Sequence, residues 1–509
     1  LWAEVLRYWG HLFVSKLGRP SPKQVALHRL ETATNYDEWY QHAAELDRLR
    51  GRDTWRRNPV SRRYDHRLIY ARLEHLCEID LTQDLSSMVF LLRSGLVRNL
   101  GGINEPQLFL PAYSGTKLLI EEYTYRIINI LQFIRQTTVG PAVIPRHLQA
   151  SFFYDTRQSY GRTVLILNGG STFGLCHLGV AKALWESNLL PRIMYGTAVG
   201  ALIGALLCCH DDTELPALFS TQTIDLSAFR RVERRGHVVR KLGRFLKFGY
   251  LMNVRVLEEC IRDNIGDMTF EEAYLKTGRI LNIMVSPHRR FESAQLLNYL
   301  AAPNVVIWSA ACASTAKLGL FEQVNLRVKD PAGHITTWTP PMALLIPTGS
   351  LGDGASRDGF DPTVLSDFEQ PYARLAELFN VNHSIISDAS PQQHLPFVFS
   401  PHHREPGPSC FGKLVRLLTG EIRHRLTQLY QLRLLPVALE GFMTVKAPNT
   451  ITLSPSFQLT DFYNMYAYPT PSSLPYWILK GEQAAWPDIR LIHNRCAIEF
   501  TLDKALDQL

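Results

Sequence analysis

The chain lacks any apolar run of the roughly 18 to 20 residues that a membrane-crossing helix requires. Its longest candidate, Thr197 to Cys209, is glycine-rich and too short. It also lacks a CxxC pair and any Cys/His spacing typical of a metal site. The eight cysteines (Cys77, Cys176, Cys208, Cys209, Cys260, Cys312, Cys410 and Cys496) therefore read as reduced, mostly buried thiols, with no metal and no cofactor expected. Unpaired thiols place the protein inside the cell. An excess of one charge sign is missing as well: a formal +7 over 509 residues does not by itself call for nucleic acid, so local clustering must decide. There is no internal repeat and no low-complexity tract. The first stretch has no signal-peptide layout, although the chain opens at Leu1 without a methionine, which leaves room for an earlier segment.

What is present is ordinary globular material, 46% hydrophobic and 20% charged, which excludes a disordered or fibrous chain. Residues 1–145 place apolar and charged positions at helical spacing, as in Asp37 to Leu49 and Leu68 to Leu76, and predict a helical domain. After a Pro-containing stretch the pattern changes. From Thr163 a buried strand (Val164 to Leu167) is followed by a glycine loop, a helix (Leu178 to Ser187), a strand (Ile193 to Tyr195), a tight turn and a second helix (Val199 to Cys209). Continuous apolar strands alternating with helices imply an α/β core with a parallel-type sheet covered on both faces. Further strands are expected at Ile280 to Val285 and Val305 to Trp308, completing a domain over 160–390. Residues 391–509 mix Pro-rich loops with an amphipathic stretch on which Leu414, Leu417, Leu418, Ile422, Leu426 and Leu429 share one face.

In Gly196-Thr197-Ala198-Val199-Gly200, glycines flank a turn between strand and helix, the layout of a nucleophile elbow, Gly-x-Ser-x-Gly. The middle position sits at a helix N-terminus, where free amides favour developing negative charge. Here it is Ala198, and a methyl group cannot attack a carbonyl. Thr197 is adjacent, but neighbouring side chains at a sharp turn point in different directions. Upstream, Asn168-Gly169-Gly170-Ser171-Thr172-Phe173-Gly174 is a glycine loop entering a helix, with backbone amides able to cradle an oxyanion. Downstream, Gly352-Asp353-Gly354 sets a carboxylate between two glycines. Each alone is a common turn; their combination and order carry the signal.

The run LNGGSTFGLCHLGVAKALWESNLLPRIMYGTAVGALIGALL (Leu167 to Leu207) resembles the core of the patatin-like phospholipases. It is most similar to their intracellular triacylglycerol lipase branch, associated with lipid droplets. The resemblance extends to Tyr36–Gly51 and Leu91–Ile103 of the preceding helical domain, and to Leu296–Ser314, Arg374–Ser387, Glu421–Pro436 and Trp486–Glu499. It implies a patatin-like fold and a serine–aspartate dyad in which the carboxylate takes the serine proton, serine forms an acyl-enzyme and the glycine loop stabilises the oxyanion. Carried over, the base is Asp353, the oxyanion amides come from Gly169, Gly170 and Ser171, the elbow glycines are Gly196 and Gly200, and the nucleophile position is Ala198. Ser171, where the family has a third glycine, is a second departure. A deliberate serine-to-alanine replacement and a natural loss both fit Ala198, and the change at Ser171 favours natural loss.

Arg230 to Lys247 holds eight Lys/Arg and a single acid, Glu233, with Val238, Leu242, Phe245 and Leu246 at helical spacing between them. Arg230, Arg231, Arg234, Arg235, Lys241, Arg244 and Lys247 suit adsorption to an anionic lipid surface; a solvated helix packing its apolar face inward fits equally. No aromatic stacking platform accompanies them, so nucleic acid is not expected. His383-x4-Asp388 matches a spacing found in glycerolipid acyltransferases, but with 17 histidines such a match is expected by chance; His383 reads as a residue at a strand edge and His177 as a packed helical histidine. The expectation is a lipid acyl hydrolase scaffold for lipid esters, peripheral on a lipid droplet or endoplasmic reticulum membrane, with hydrolysis absent or strongly impaired at Ala198. The alternatives are a non-catalytic lipid-surface or partner-binding protein and a His383/Asp388 acyltransferase.

Overall fold

The computed structural model describes residues 21–137, 145–170, 172–220, 224–226, 254–285, 295–315, 324–338, 369–389, 450–463 and 470–508, with five single positions between 417 and 428. Among the described residues seven α-helices come first: α1 (Pro22–Thr32), α2 (Tyr36–Leu49), α3 (Arg52–Arg57), α4 (His66–Thr82), α5 (Leu85–Gly95), α6 (Leu118–Gln136) and α7 (Arg146–Tyr160). Their starts follow local chemistry. Ser21 and Gln24 form a capping box with Pro22 at the first helical position, and Asp65 and Asp84 accept amide hydrogen bonds at the starts of α4 and α5. In α6, Ile120, Ile127, Ile130, Leu131 and Ile134 are buried at helical spacing, which fixes the face turned to the core.

Gly161 (φ +80) ends α7 and turns the chain into β1 (Arg162–Asn168). There follow α8 (Cys176–Glu186), β2 (Ile193–Gly196), α9 (Val199–Cys209), α10 (Leu215–Phe219), α11 (Val254–Ile265), α12 (Phe270–Thr277), β3 (Ile280–Val285), β4 (Gln295–Leu297) and α13 (Ile307–Thr315). After a small hairpin, β5 (Arg327–Lys329) and β6 (Ile335–Thr337), come α14 (Glu369–Phe379), β7 (Val381–Asp388), β8 (Thr450–Leu453), α15 (Leu459–Tyr463), α16 (Leu474–Ala485) and α17 (Ile489–Gln508). The main sheet runs β4-β3-β2-β1-β7-β8. Its strands are parallel except β4, which pairs antiparallel with β3. The α/β architecture with a helical region in front is the expected one. No helix among the described residues is long and apolar enough to cross a membrane.

Two features depart from the expectation. Val305 and Val306 form only single bridges, to Val328 and Thr269, and Ile307 begins a helix. Small residues at Ala310, Ala311 and Ala313 favour helix, and Ser309 Oγ donates to the Val306 carbonyl 2.8 Å away. His383 is not at an edge: β7 is paired with β1 on one side and β8 on the other.

Residues beyond the sheet close the structure from outside. α16 lies on α8 at backbone contact: a Cβ on Gly179 would stand 1.9 Å from the Ile478 carbonyl oxygen, and one on Gly481 2.0 Å from that of Cys176. Only glycine permits this approach. α17 packs on α6 and α7, joining the C-terminal and N-terminal helices.

Candidate active site

In an open parallel sheet, ligands are met outside the carboxyl ends of the strands. β1 ends there at Asn168 and β2 at Gly196. Beyond β2 the chain reverses into α9 through Thr197 and Ala198, and Ala198 adopts φ +51, ψ −123, a conformation that costs an L-residue roughly 1–3 kcal/mol. Its surroundings enforce it. The Thr197 N–H donates to the Leu167 carbonyl at 3.1 Å, and the Ala198 N–H donates to Ser314 Oγ, on the last turn of α13, at 3.0 Å. A Cβ on Gly196 would lie 2.5 Å from Ala201 Cα, and one on Gly200 2.1 Å from the Leu167 carbonyl oxygen. Both elbow glycines are therefore required by close approach.

The glycine loop leaves β1 through Gly169 (φ +65) and Gly170 (φ +84), both in the left-handed region that favours glycine. A Cβ on Gly170 would stand 2.6 Å from the Gly174 amide nitrogen, and one on Gly174 2.6 Å from Val199 Cγ1, so loop and elbow pack directly on each other. Thr197 joins them: its Oγ1 accepts from the Gly169 N–H at 3.1 Å and donates to Asn168 Oδ1 at 3.1 Å. The Gly169 amide is thus engaged by the elbow. The amides of Gly170 and of Val199, at the start of α9, make no hydrogen bond among the described residues. Ser171, Asp353 with its flanking Gly352 and Gly354, and the basic segment with Arg230, Arg231, Arg234, Arg235, Lys241, Arg244 and Lys247 lie outside the described residues.

Aromatic packing backs the loop. Phe173 is fully buried, stacked on Phe457 at 4.1 Å between ring centres and edge-on to Phe462 at 5.4 Å. His177, on the first turn of α8, is also fully buried, with Nδ1 2.7 Å from Ser387 Oγ of β7. Burial pushes its pKa down to about 4, so the ring is neutral.

His383 and Asp388 are not brought together. In β7 they pair with Thr163 and Asn168, at opposite ends of β1, and an odd separation turns them to opposite faces of the sheet. His383 Nε2 accepts from Arg495 Nη1 at 3.3 Å, and Nδ1 lies 3.3 Å from Thr163 Oγ1. Burial, Arg98 and Arg495 all hold its pKa well below the usual range. Reading the sequence missed Ser314, Ser387 and the clamping role of Thr197. The serines carry no local motif, and only the packing of α13 and β7 against the elbow and α8 shows them.

Residues 17–158 match a family model described as a domain of unknown function (DUF3336), and residues 165–359 match the patatin-like phospholipase model. The chain is similar over 99% of its length to triacylglycerol lipase ptl1 of Schizosaccharomyces pombe, at 35% identity and covering 89% of that protein. It is 30% identical to triacylglycerol lipase ptl3 of the same yeast, with 94% of this chain and 97% of that one covered. It is 31% identical to triacylglycerol lipase 5 of Saccharomyces cerevisiae, covering 93% of this chain and 64% of that longer protein.

Proposed function

The chain belongs to the patatin-like triacylglycerol lipase family, and from that premise we propose that it is a lipid acyl hydrolase scaffold whose ester-cleaving step is absent at Ala198. One observation carries the reading: the elbow keeps its costly φ +51 at the position where a nucleophile belongs, with only a methyl group mounted there. In a serine form, the Asp353 carboxylate would take the hydroxyl proton as Oγ attacks the ester carbonyl. The amides of Gly170 and Val199 would meet the oxyanion, the alcohol would leave with the proton, and water would free the fatty acid. The substrate class is triacylglycerol or phospholipid ester.

The purified chain and its Ala198→Ser variant, assayed on emulsified triacylglycerol, test this. The expected result is fatty acid release by the variant at roughly 1,000-fold or more above the parent chain, the scale on which loss of a catalytic-pair member acts. A parent chain as fast as the variant would overturn the reading, and a folded but inert variant would mean a further lesion beside Ala198. For the segment 230–247 we infer peripheral adsorption to an anionic lipid surface, on a droplet or endoplasmic reticulum membrane. Liposome binding should fall when Arg230, Arg231, Arg234 and Arg235 are neutralised, and unchanged binding would remove that inference.

A further inference from the structure

The loop from Asn168 to Gly174, which leads from β1 to α8, has little of its own to hold its shape. Gly169 and Gly170 are glycines at positive φ, and Gly174 is a third. Glycine restricts the backbone least, whereas an amide stabilises an oxyanion strongly only if its direction is fixed before the charge develops. Phe173 is the one large apolar side chain of this loop. It enters a box whose walls come from the C-terminal part of the chain. Phe457 stacks on it at 4.1 Å between ring centres, with the planes 16° apart; Phe462 of α15 meets it edge-on at 5.4 Å, and Trp477 of α16 lies at 5.6 Å. Phe173 and Trp477 are both buried.

The box is itself braced. On α16, Tyr476 Oη donates to Asp461 Oδ1 at 2.9 Å and Lys480 Nζ donates to the Ser456 carbonyl at 3.3 Å, while Asp461 Oδ2 accepts from the Gln458 N–H at 2.8 Å. These bonds hold residues 456–461, and Phe457 with them, to the helix that carries Trp477. That helix lies on α8 where the loop ends: a Cβ on Gly481 would stand 2.0 Å from the carbonyl oxygen of Cys176, the first residue of α8. Next to Phe173, Gly174 packs on Val199 of the elbow and also on Gly170, whose Cβ would stand 2.6 Å from the Gly174 amide nitrogen. The loop is therefore gripped by the elbow and by the C-terminal segment together.

All three rings lie beyond residues 165–359, the segment that matches the patatin-like model. We propose that Phe457, Phe462 and Trp477 are positioning residues of the oxyanion loop: they hold Phe173 and, through the Gly170–Gly174 contact, fix the direction of the Gly170 amide. Ester cleavage would then draw on the C-terminal segment as well as on the elbow. The effect on rate rests on the hydrolase reading; the grip on the loop does not.

Two arms test it. In the parent chain, Phe457→Leu keeps apolar bulk but loses the stacked ring, and a peptide spanning residues 168–175 should exchange its amide hydrogens roughly 10-fold faster by mass spectrometry. Phe457→Tyr, which keeps the ring, should exchange at the parent rate. An unchanged rate in Phe457→Leu overturns the proposal, as does a Tyr variant as fast as Leu. In the Ala198→Ser background, Phe457→Leu should lower kcat on emulsified triacylglycerol roughly 3- to 10-fold at a KM within about twofold, a milder loss than removal of an oxyanion donor. Phe457→Tyr should restore it. Leu474→Ala is the control: Leu474 lies on α16 but packs in the main core and not in the cluster around Phe173, so its loss weakens the fold and should leave kcat unchanged. Equal kcat in the Ala198→Ser chain and its Phe457→Leu variant overturns the proposal, as does an equal fall in Leu474→Ala. If Ala198→Ser releases no fatty acid at all, the hydrolase reading fails, and the exchange arm alone decides whether the C-terminal rings grip the loop.

Discussion

The two ends of the β1–β7 strand pair are held by different polar chemistry, an ion-pair cluster at one and hydrogen bonds of a turn at the other. At the amino end, Glu499 of α17 accepts from Arg98 at 2.8 Å, from Arg157 at 3.2 Å and from the Thr163 N–H at 2.8 Å, while Arg157 also pairs with Asp503. Burial opposes the charge on Arg98, but Glu499, Tyr160 and Cys496 together outweigh it, so the guanidinium stays firmly protonated. At the carboxyl end, Asn168, Thr197 and Ala198 bond to hydroxyls, amides and backbone, and the buried Asp388 ends β7 beside Asn168. Each end has a buried histidine. His383 has Thr163 on one nitrogen and Arg495 on the other, whereas His177 has Ser387 on Nδ1 and no hydrogen-bond partner on Nε2 among the described residues. The charged end ties helices from both termini to the first strand, while at the carboxyl end the strained turn is held by the neutral hydrogen bonds of Thr197 to Leu167 and of Ala198 to Ser314. Rigidity is supplied at one end and strain is stored at the other.

The sharpest challenge to that contrast is removal of its central carboxylate. Glu499→Ala leaves two buried guanidinium groups short of a partner and should destabilise the chain by about 3–5 kcal/mol in urea unfolding. A loss under about 1 kcal/mol, as for an exposed pair, would mean that the amino end is not what holds the helices to the sheet. At the other end, Gly200→Ala drives a methyl group into the Leu167 carbonyl and should cost about 3 kcal/mol, the upper part of the range for overpacking. An unchanged melting temperature would show that the elbow yields, contrary to a turn locked by close approach.

Acid bears on both ends through their histidines. The folded chain holds His177 and His383 neutral, whereas the unfolded chain protonates them near 6.5. Their contribution is therefore complete above pH 6.5 and is lost as pH falls below it, toward the depressed folded values, at up to about 1.4 kcal/mol per pH unit for each ring. Urea unfolding at pH 7 and pH 5 should show the loss, and His383→Gln should reduce its slope; an unaltered slope would deny His383 its part. The smallest effect concerns strain: Ala198→Gly relieves the φ +51 conformation and, after the added backbone freedom of the unfolded chain, should stabilise by about 1 kcal/mol. A destabilised variant would show that the elbow conformation is not costly.

Much of the carboxyl end is legible in the linear chain because its demands are local. Positive φ at Gly169 and Gly170, and close approach at Gly196 and Gly200, select glycine wherever such a turn occurs, so the spacing reveals the turn. Gly169 as an oxyanion donor was a reasonable expectation from the same loop, but Thr197 Oγ1 takes its amide and leaves Gly170 and Val199 unengaged. Ser314 meets Ala198 across 116 residues, Ser387 meets His177 across 210, and Glu499 meets Thr163 across 336. No periodicity or motif spans such separations. Arg98 and Glu499 both fall in segments that resemble the family, yet the resemblance did not say that they touch.

The order of amino acids alone determined that this chain makes a parallel α/β core behind a helical region, that glycines bend it at two strand ends, and that the elbow lacks a hydroxyl at Ala198. Backbone conformation and side-chain inventory are properties of short stretches, and short stretches can be read. Only the tertiary structure decided which amides remain unengaged, which serines brace the elbow and α8, and that the two buried histidines serve opposite ends of one strand pair. Hydrogen bonds act over about 3 Å in space whatever the distance along the chain, so their partners exist only once the fold has brought them together.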